Sequence, residues 1–85
     1  MQIRFSSSFG RDYWELPQEV RKILDNKFTL LLNNKRHPSL RVKKMGGYEN
    51  VWEARITKGY RFTFQKENDG YLIRRAGPHN ILKNP

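Results

Sequence analysis

Val51-Trp52-Glu53-Ala54-Arg55-Ile56-Thr57 is followed by Lys58-Gly59 and then by Tyr60-Arg61-Phe62-Thr63-Phe64-Gln65-Lys66. Apolar and polar residues alternate on both sides of a two-residue turn signal, the pattern of a β-hairpin with one buried face. Glu67-Asn68-Asp69-Gly70 supplies a second turn and Tyr71 to Ala76 a third strand, so an antiparallel meander is predicted. Trp52, Ala54 and Ile56 share the core parity with Tyr60, Phe62 and Phe64. Glu53, Arg55, Arg61, Thr63 and Gln65 then project from the opposite face. A cross-strand ion pair between Glu53 and an arginine on a solvated face is one reading of that cluster, and a charged ligand site is the other. In the third strand Tyr71, Ile73 and Arg75 share one parity and Leu72, Arg74 and Ala76 the other. Either choice buries one arginine stem, so alternation alone does not say which arginine joins the charged face.

Upstream of the meander the period changes. Met1 to Phe5 reads as a short strand with Ile3 and Phe5 inward, and Ser6-Ser7-Ser8 offers N-cap oxygens to a helix reaching Leu16. Pro17 opens a second helix, with Val20, Ile23, Leu24, Phe28, Leu31 and Leu32 forming its apolar stripe and Asn33-Asn34 its end. Residues 35–50 read as an irregular basic loop that Leu40 and Val42 pin to the core. The order β-α-α-β-β-β predicts an α+β fold, with two N-terminal helices on one face of a curved, mainly antiparallel sheet. The other face is left for a ligand.

The chain has 85 residues, the size of a single domain spanning 1–85. It has no cysteine, which excludes a disulfide scaffold, thiol catalysis and thiolate zinc sites and fits a reducing cytoplasm. Its longest apolar run, Leu30-Leu31-Leu32, is too short for a membrane span or a signal-peptide core. The net charge of +9 points to a polyanionic partner. Residues 34–66 hold nine basic and two acidic side chains, net +7, while the segments on either side carry net +1 each. Such concentration reads as a binding face.

The two histidines differ in setting. His37 precedes Pro38 in a loop and reads as a surface residue, whereas His79 follows Gly77-Pro78 at a strand end, where a side chain is presented to a site. Two histidines far apart in sequence make a transition-metal site a poor reading, and neither a nucleophile elbow nor a P-loop occurs. Metal-free phosphodiester cleavage stays open. It needs a base for a ribose 2′-OH, an acid for the leaving 5′-oxygen, and cations around the phosphorane. Glu53, His79, Arg55 and Arg61 meet that list.

The stretches His37-Pro38-Ser39-Leu40-Arg41-Val42-Lys43-Lys44-Met45, Val51 to Ile56 and Gly59 to Phe64 together resemble the RelE/ParE superfamily of bacterial toxin–antitoxin toxins. The family pattern is a basic loop, a W-E-x-R strand, a Y-R strand and a last strand ending near a basic or histidine residue, and it covers essentially the whole chain. The resemblance implies a cytoplasmic, ribosome-dependent mRNA endoribonuclease, acting by 2′-OH attack with no metal and no cofactor. Its implied partners are the ribosome with its mRNA and a cognate antitoxin, acidic in view of the basic middle segment. By position, Arg61 matches the phosphate-stabilising arginine and Arg55 a catalytic lysine or arginine. Glu53 falls where some relatives carry a lysine, and His79 where relatives hold an arginine or a histidine acid. Lys35, Arg36, Arg41, Lys43 and Lys44, with Arg75 of the last strand, are the candidate RNA-phosphate contacts. One departure is that Asn80-Ile81-Leu82 stands where a base-stacking tyrosine often follows. Two other readings share the fold or the charge: a ParE-like DNA gyrase inhibitor, and a non-catalytic basic module that binds RNA or an antitoxin.

Overall fold

A computed structural model describes residues 2–85, so Met1, expected in the first strand, lies outside the described residues. The chain runs β1 (Gln2–Phe5), α1 (Ser7–Glu15), α2 (Gln18–Asn33), a 3-10 turn (Pro38–Leu40), β2 (Lys43–Lys44), β3 (Trp52–Thr57), β4 (Tyr60–Glu67), β5 (Gly70–Pro78) and a second 3-10 turn (His79–Lys83). The five strands form one sheet in the order β1-β5-β4-β3-β2. Only β1 against β5 is parallel; the other three pairs are antiparallel. The expected α+β order therefore holds, with one addition. Lys43–Lys44 leaves the loop to pair with Trp52 and Glu53, making a short fifth strand that the irregular reading of residues 35–50 did not contain.

Local chemistry sets the boundaries. The Ser6 Oγ accepts from the Phe9 N–H at 3.0 Å, capping α1, and donates to the Arg74 carbonyl at 2.7 Å, which ties the cap to β5. Pro17 stands at the N-cap of α2 and Glu19 in its first turn. The Cα partner of Gly70 is Gln2, and a Cβ there would meet the Gln2 carbonyl oxygen at 1.7 Å. With φ at +145°, position 70 takes glycine alone.

The core lies between the helices and one sheet face. Ala54, Phe62 and Ala76 form one buried row across β3, β4 and β5, and Trp52, Phe64 and Ile73 form the next. Phe9 and Leu16 with Val20, Leu24 and Leu31 pack onto these rows from α1 and α2, joined by Leu40 from the loop. Rings of Phe5, Phe9, Phe28, Phe62, Phe64 and Tyr71 follow one another at centroid spacings of 5.1–5.9 Å. Each buried aromatic or Leu side chain contributes on the order of 1.5–3 kcal/mol. Three apolar residues expected in the core stay exposed: Phe5, Ile23 and Leu32. Phe5 nonetheless stacks on Phe9 at the end of the aromatic row.

The parity of β5 is resolved by an irregularity. Thr63 pairs with Arg75 and Phe64 with Ile73, so Arg74 is an extra residue on β5, a β-bulge. Tyr71 and Ile73 are buried before it and Ala76 after it, and neither arginine stem has to enter the core. At this point β1 has ended, and α1 covers the open edge of β5. The Asp12 carboxylate accepts from the Ala76 N–H at 3.1 Å and from the Arg75 Nε and Nη2 at 2.6 and 3.1 Å. Asp12→Ala should lower unfolding stability in urea by about 2–3 kcal/mol, because a buried N–H and a guanidinium both lose their acceptor. Asp12→Asn keeps one acceptor oxygen and should lose less. An equal loss in both variants would place the energy in the charge pair instead of the edge hydrogen bond.

Candidate functional site

Cross-strand register sorts the outward side chains into rows. Lys43, Glu53, Thr63 and Arg75 are successive partners across β2 to β5, and Arg55, Arg61 and Gly77 form the adjoining row. His79 begins the turn two residues beyond Gly77. The arginine row thus lies between Glu53 and His79. With strands about 4.8 Å apart and about 3.3 Å of rise per residue, Glu53 stands roughly 10 Å across and 10 Å along the sheet from Pro78, the end of β5.

The expected ion pair between Glu53 and an arginine is not formed. Glu53 is opposite Thr63, while Arg55 and Arg61 face each other directly, an arrangement that costs stability when no anion is between them. Among the described residues the ion pairs are Arg4–Glu67 and Arg75–Asp12, and neither involves this row. The Arg61 Nη1 donates to the carbonyls of Thr57 at 2.9 Å and Tyr60 at 3.1 Å, which orients the guanidinium against the β3–β4 turn. A third cation is close. Lys27 of α2 donates to the Ser39 carbonyl at 3.4 Å, and burial, then the charge of Arg55, lowers its ammonium below the ordinary lysine value. His79 is exposed. Among the described residues no hydrogen bond or ion pair joins Glu53, Arg55, Arg61 and His79 to one another.

The outward face is less open than alternation implied. Glu53 is only 8% exposed and Thr63 fully buried. The C-terminal turn folds back against β4 and β5, where Ile81 Cγ2 would lie 2.8 Å from a Cβ at Gly77. Arg74 donates to the Pro85 carbonyl at 2.9 Å and is bonded to the Gln65 Oε1; Arg75 donates to the Asn84 carbonyl at 3.1 Å. Arg75, expected among the phosphate contacts, is therefore committed to Asp12 and the C-terminal segment. The sequence showed no sign of this because its partners lie 63 and 9 residues away.

The basic loop divides between the two faces. Lys43 is partnered with Glu53, on the outward side, and Lys44 with Trp52, on the helix side. Lys35, Arg36 and Arg41 line a helix-side cavity of about 410 Å³ together with Trp52, Tyr71 and Lys66, a lysine the sequence reading passed over as an ordinary strand residue. The left-handed backbone at Arg41, φ 47°, turns the chain between these two destinations.

No protein-family model matches the chain, and no curated protein matches it. Solved structures do. The toxin–antitoxin complex RelB-RelE from Methanococcus jannaschii matches with a TM-score of 0.77 at 22% identity, covering 95% of each chain. The E. coli DinJ-YafQ complex matches at 0.76 and 17% identity, over 95% of this chain and 96% of that one. The YoeB dimer from Staphylococcus aureus matches at 0.79 and 15% identity, over 93% and 97%.

One side chain in the site carries a direct test. The Thr63 Oγ1 is buried with no hydrogen-bond partner among the described residues. Thr63→Val keeps the shape and removes the stranded hydroxyl, so thermal or urea unfolding should show a gain of about 1 kcal/mol. A loss would mean that the hydroxyl is satisfied in solution.

Proposed function

We propose that this chain, which has the fold of the solved RelE and YafQ toxins, is the toxin of a toxin–antitoxin pair and that it cuts mRNA on the ribosome. The observation that carries this reading is the Arg55–Arg61 pair, two facing cations with no carboxylate between them. Such a pair is stable with a phosphate between the guanidinium groups and strained without one.

The chemistry follows from the order of the side chains. The 2′-oxygen of one ribose attacks its own 3′-phosphorus, and the bond from phosphorus to the next 5′-oxygen breaks. Glu53 takes the 2′-hydroxyl proton and His79 gives a proton to the departing 5′-oxygen, while Arg55 and Arg61 stabilise the charge of the phosphorane. One fragment ends in a 2′,3′-cyclic phosphate and the other begins with a 5′-hydroxyl. Lys43, beside Glu53, lies where it would hold the neighbouring nucleotide's phosphate. The partner that silences the protein would be an acidic antitoxin. The net +7 of residues 34–66 supports this, as do the RelB and DinJ complexes of the neighbouring structures.

Primer extension on an mRNA undergoing translation in vitro tests the proposal. The wild type should give cuts only on translated message, with 5′-hydroxyl ends, and Arg61→Ala and His79→Ala should each slow them about 100-fold or more. Cuts that persist in both variants would remove the assignment. Absence of cuts together with a DNA-damage response in arrested cells would move the target to gyrase.

A further inference from the structure

The helix-side cavity has a composition that the cleavage chemistry does not use. Its floor is aromatic, with Trp52, Phe64 and Tyr71, and its rim is cationic, with Lys35, Arg36 and Arg41. No acidic residue lines it. The nearest acidic neighbour of Lys66 along β4 is Glu67, and that carboxylate is bound to Arg4 on the far side of the strand pair. At about 410 Å³ the cavity lies in the size range of small-ligand sites.

Its parts are fixed in advance. The Trp52 indole N–H donates to the Asn50 Oδ1 at 3.3 Å, and Asn50 is itself held by the backbone of Lys66 through bonds of 3.2 and 2.8 Å. The Lys66 ammonium sits 3.6 Å from the centre of the Trp52 ring, the position of a cation–π contact. Burial, then the charges of Lys35, Arg36 and Lys44, holds that ammonium below its ordinary value, so the cations crowd one another without a counter-charge. Tyr71, 3% exposed, forms part of the wall.

We propose that this cavity receives one unpaired nucleotide of an RNA strand, on the face of the sheet opposite the cleavage site. The base takes the face of the Trp52 ring that the Lys66 ammonium now covers, Lys66 moving onto a flanking phosphate, and the phosphates run along Lys35, Arg36, Arg41 and Lys44. An RNA strand fits better than a free mononucleotide because the rim carries more positive charge than one phosphate group would neutralise. It fits better than an acidic peptide because a planar base can replace the ammonium on the Trp52 ring, which a carboxylate cannot do. The site requires neither the ribosome nor the cleavage residues, so its success or failure is separate from that of the proposed function.

Tryptophan fluorescence of the full chain in a Trp14→Phe background reports the site, since Trp14 is 73% exposed and its removal leaves Trp52 as the sole tryptophan. The probe is a 2′-O-methyl hexa-adenylate, which cannot be cut by 2′-OH attack. Saturable quenching of Trp52 is expected, with an affinity that falls as salt rises. Arg36→Ala and Arg41→Ala should each weaken it about ten-fold and reduce the salt slope by about 0.7. Arg61→Ala should leave it unchanged. The proposal is overturned if no saturable quenching occurs, if binding is lost in Arg61→Ala and kept in the loop variants, or if hexa-glutamate binds as tightly. Equal binding of adenosine monophosphate would overturn the assignment to a strand.

Discussion

Asp12 is the residue on which the arrangement turns. β1 pairs with β5 only as far as Ile73, and beyond that the edge of β5 would face outward with unpaired backbone groups. One carboxylate on α1 takes over from the missing strand: it accepts the Ala76 N–H and holds Arg75 by two bonds. Arg75 in turn reaches the Asn84 carbonyl, so the same group fixes the first helix, the last strand and the C-terminal segment. The bulge at Arg74 is what turns Arg75 toward the helix, and the shift it introduces returns Ala76 to the core face. Gly77 then stands beside Arg61, with His79 two residues further along the chain. Without that clamp, the end of β5 would have no fixed relation to the arginine row.

Positive charge is distributed by the same logic. Arg4 and Arg75 are consumed in ion pairs that join distant parts of the chain, and Arg74 by the C-terminal carbonyl and Gln65. Two groups of cations without a paired carboxylate stand close together: the Arg55–Arg61 row with Lys27 nearby, and the rim of the aromatic cavity around Lys66. Both are regions where the fold tolerates like-charge repulsion that a purely structural surface would avoid. They lie on opposite faces of one sheet, and the two-residue strand Lys43–Lys44 divides its side chains between them. No helix among the described residues is long and apolar enough to cross a membrane.

Much of this was legible in the sequence, for physical reasons that can be named. Residues 52–57 and 60–65 alternate on either side of a turn signal, and a period of two fixes which side chain faces which way. That is why Ala54, Phe62 and Phe64 on one side and Arg55 and Arg61 on the other could be placed without coordinates. The helix boundaries were equally readable, because Ser6 and Pro17 are local signals. Alternation failed where the backbone departs from it, at the bulge, so the choice between Arg74 and Arg75 needed the structure. The burial of Glu53 and Thr63 was not legible, because alternation assigns a side chain to a face and does not say what covers that face. The aromatic cavity was hidden too, since it joins a loop, a strand end and a hairpin turn that are far apart in the chain.

The central claim is that the Arg55–Arg61 row holds the phosphate at which RNA is cut. An electron cryo-microscopy structure of the protein on an mRNA-programmed ribosome, with a 2′-deoxy nucleotide at the cut position, tests it most directly. The account predicts the phosphate after that nucleotide between the two guanidinium groups, with His79 on the side of the leaving 5′-oxygen and Glu53 on the other. Message bound only on the helix side, with the arginine row turned away from it, would contradict the account.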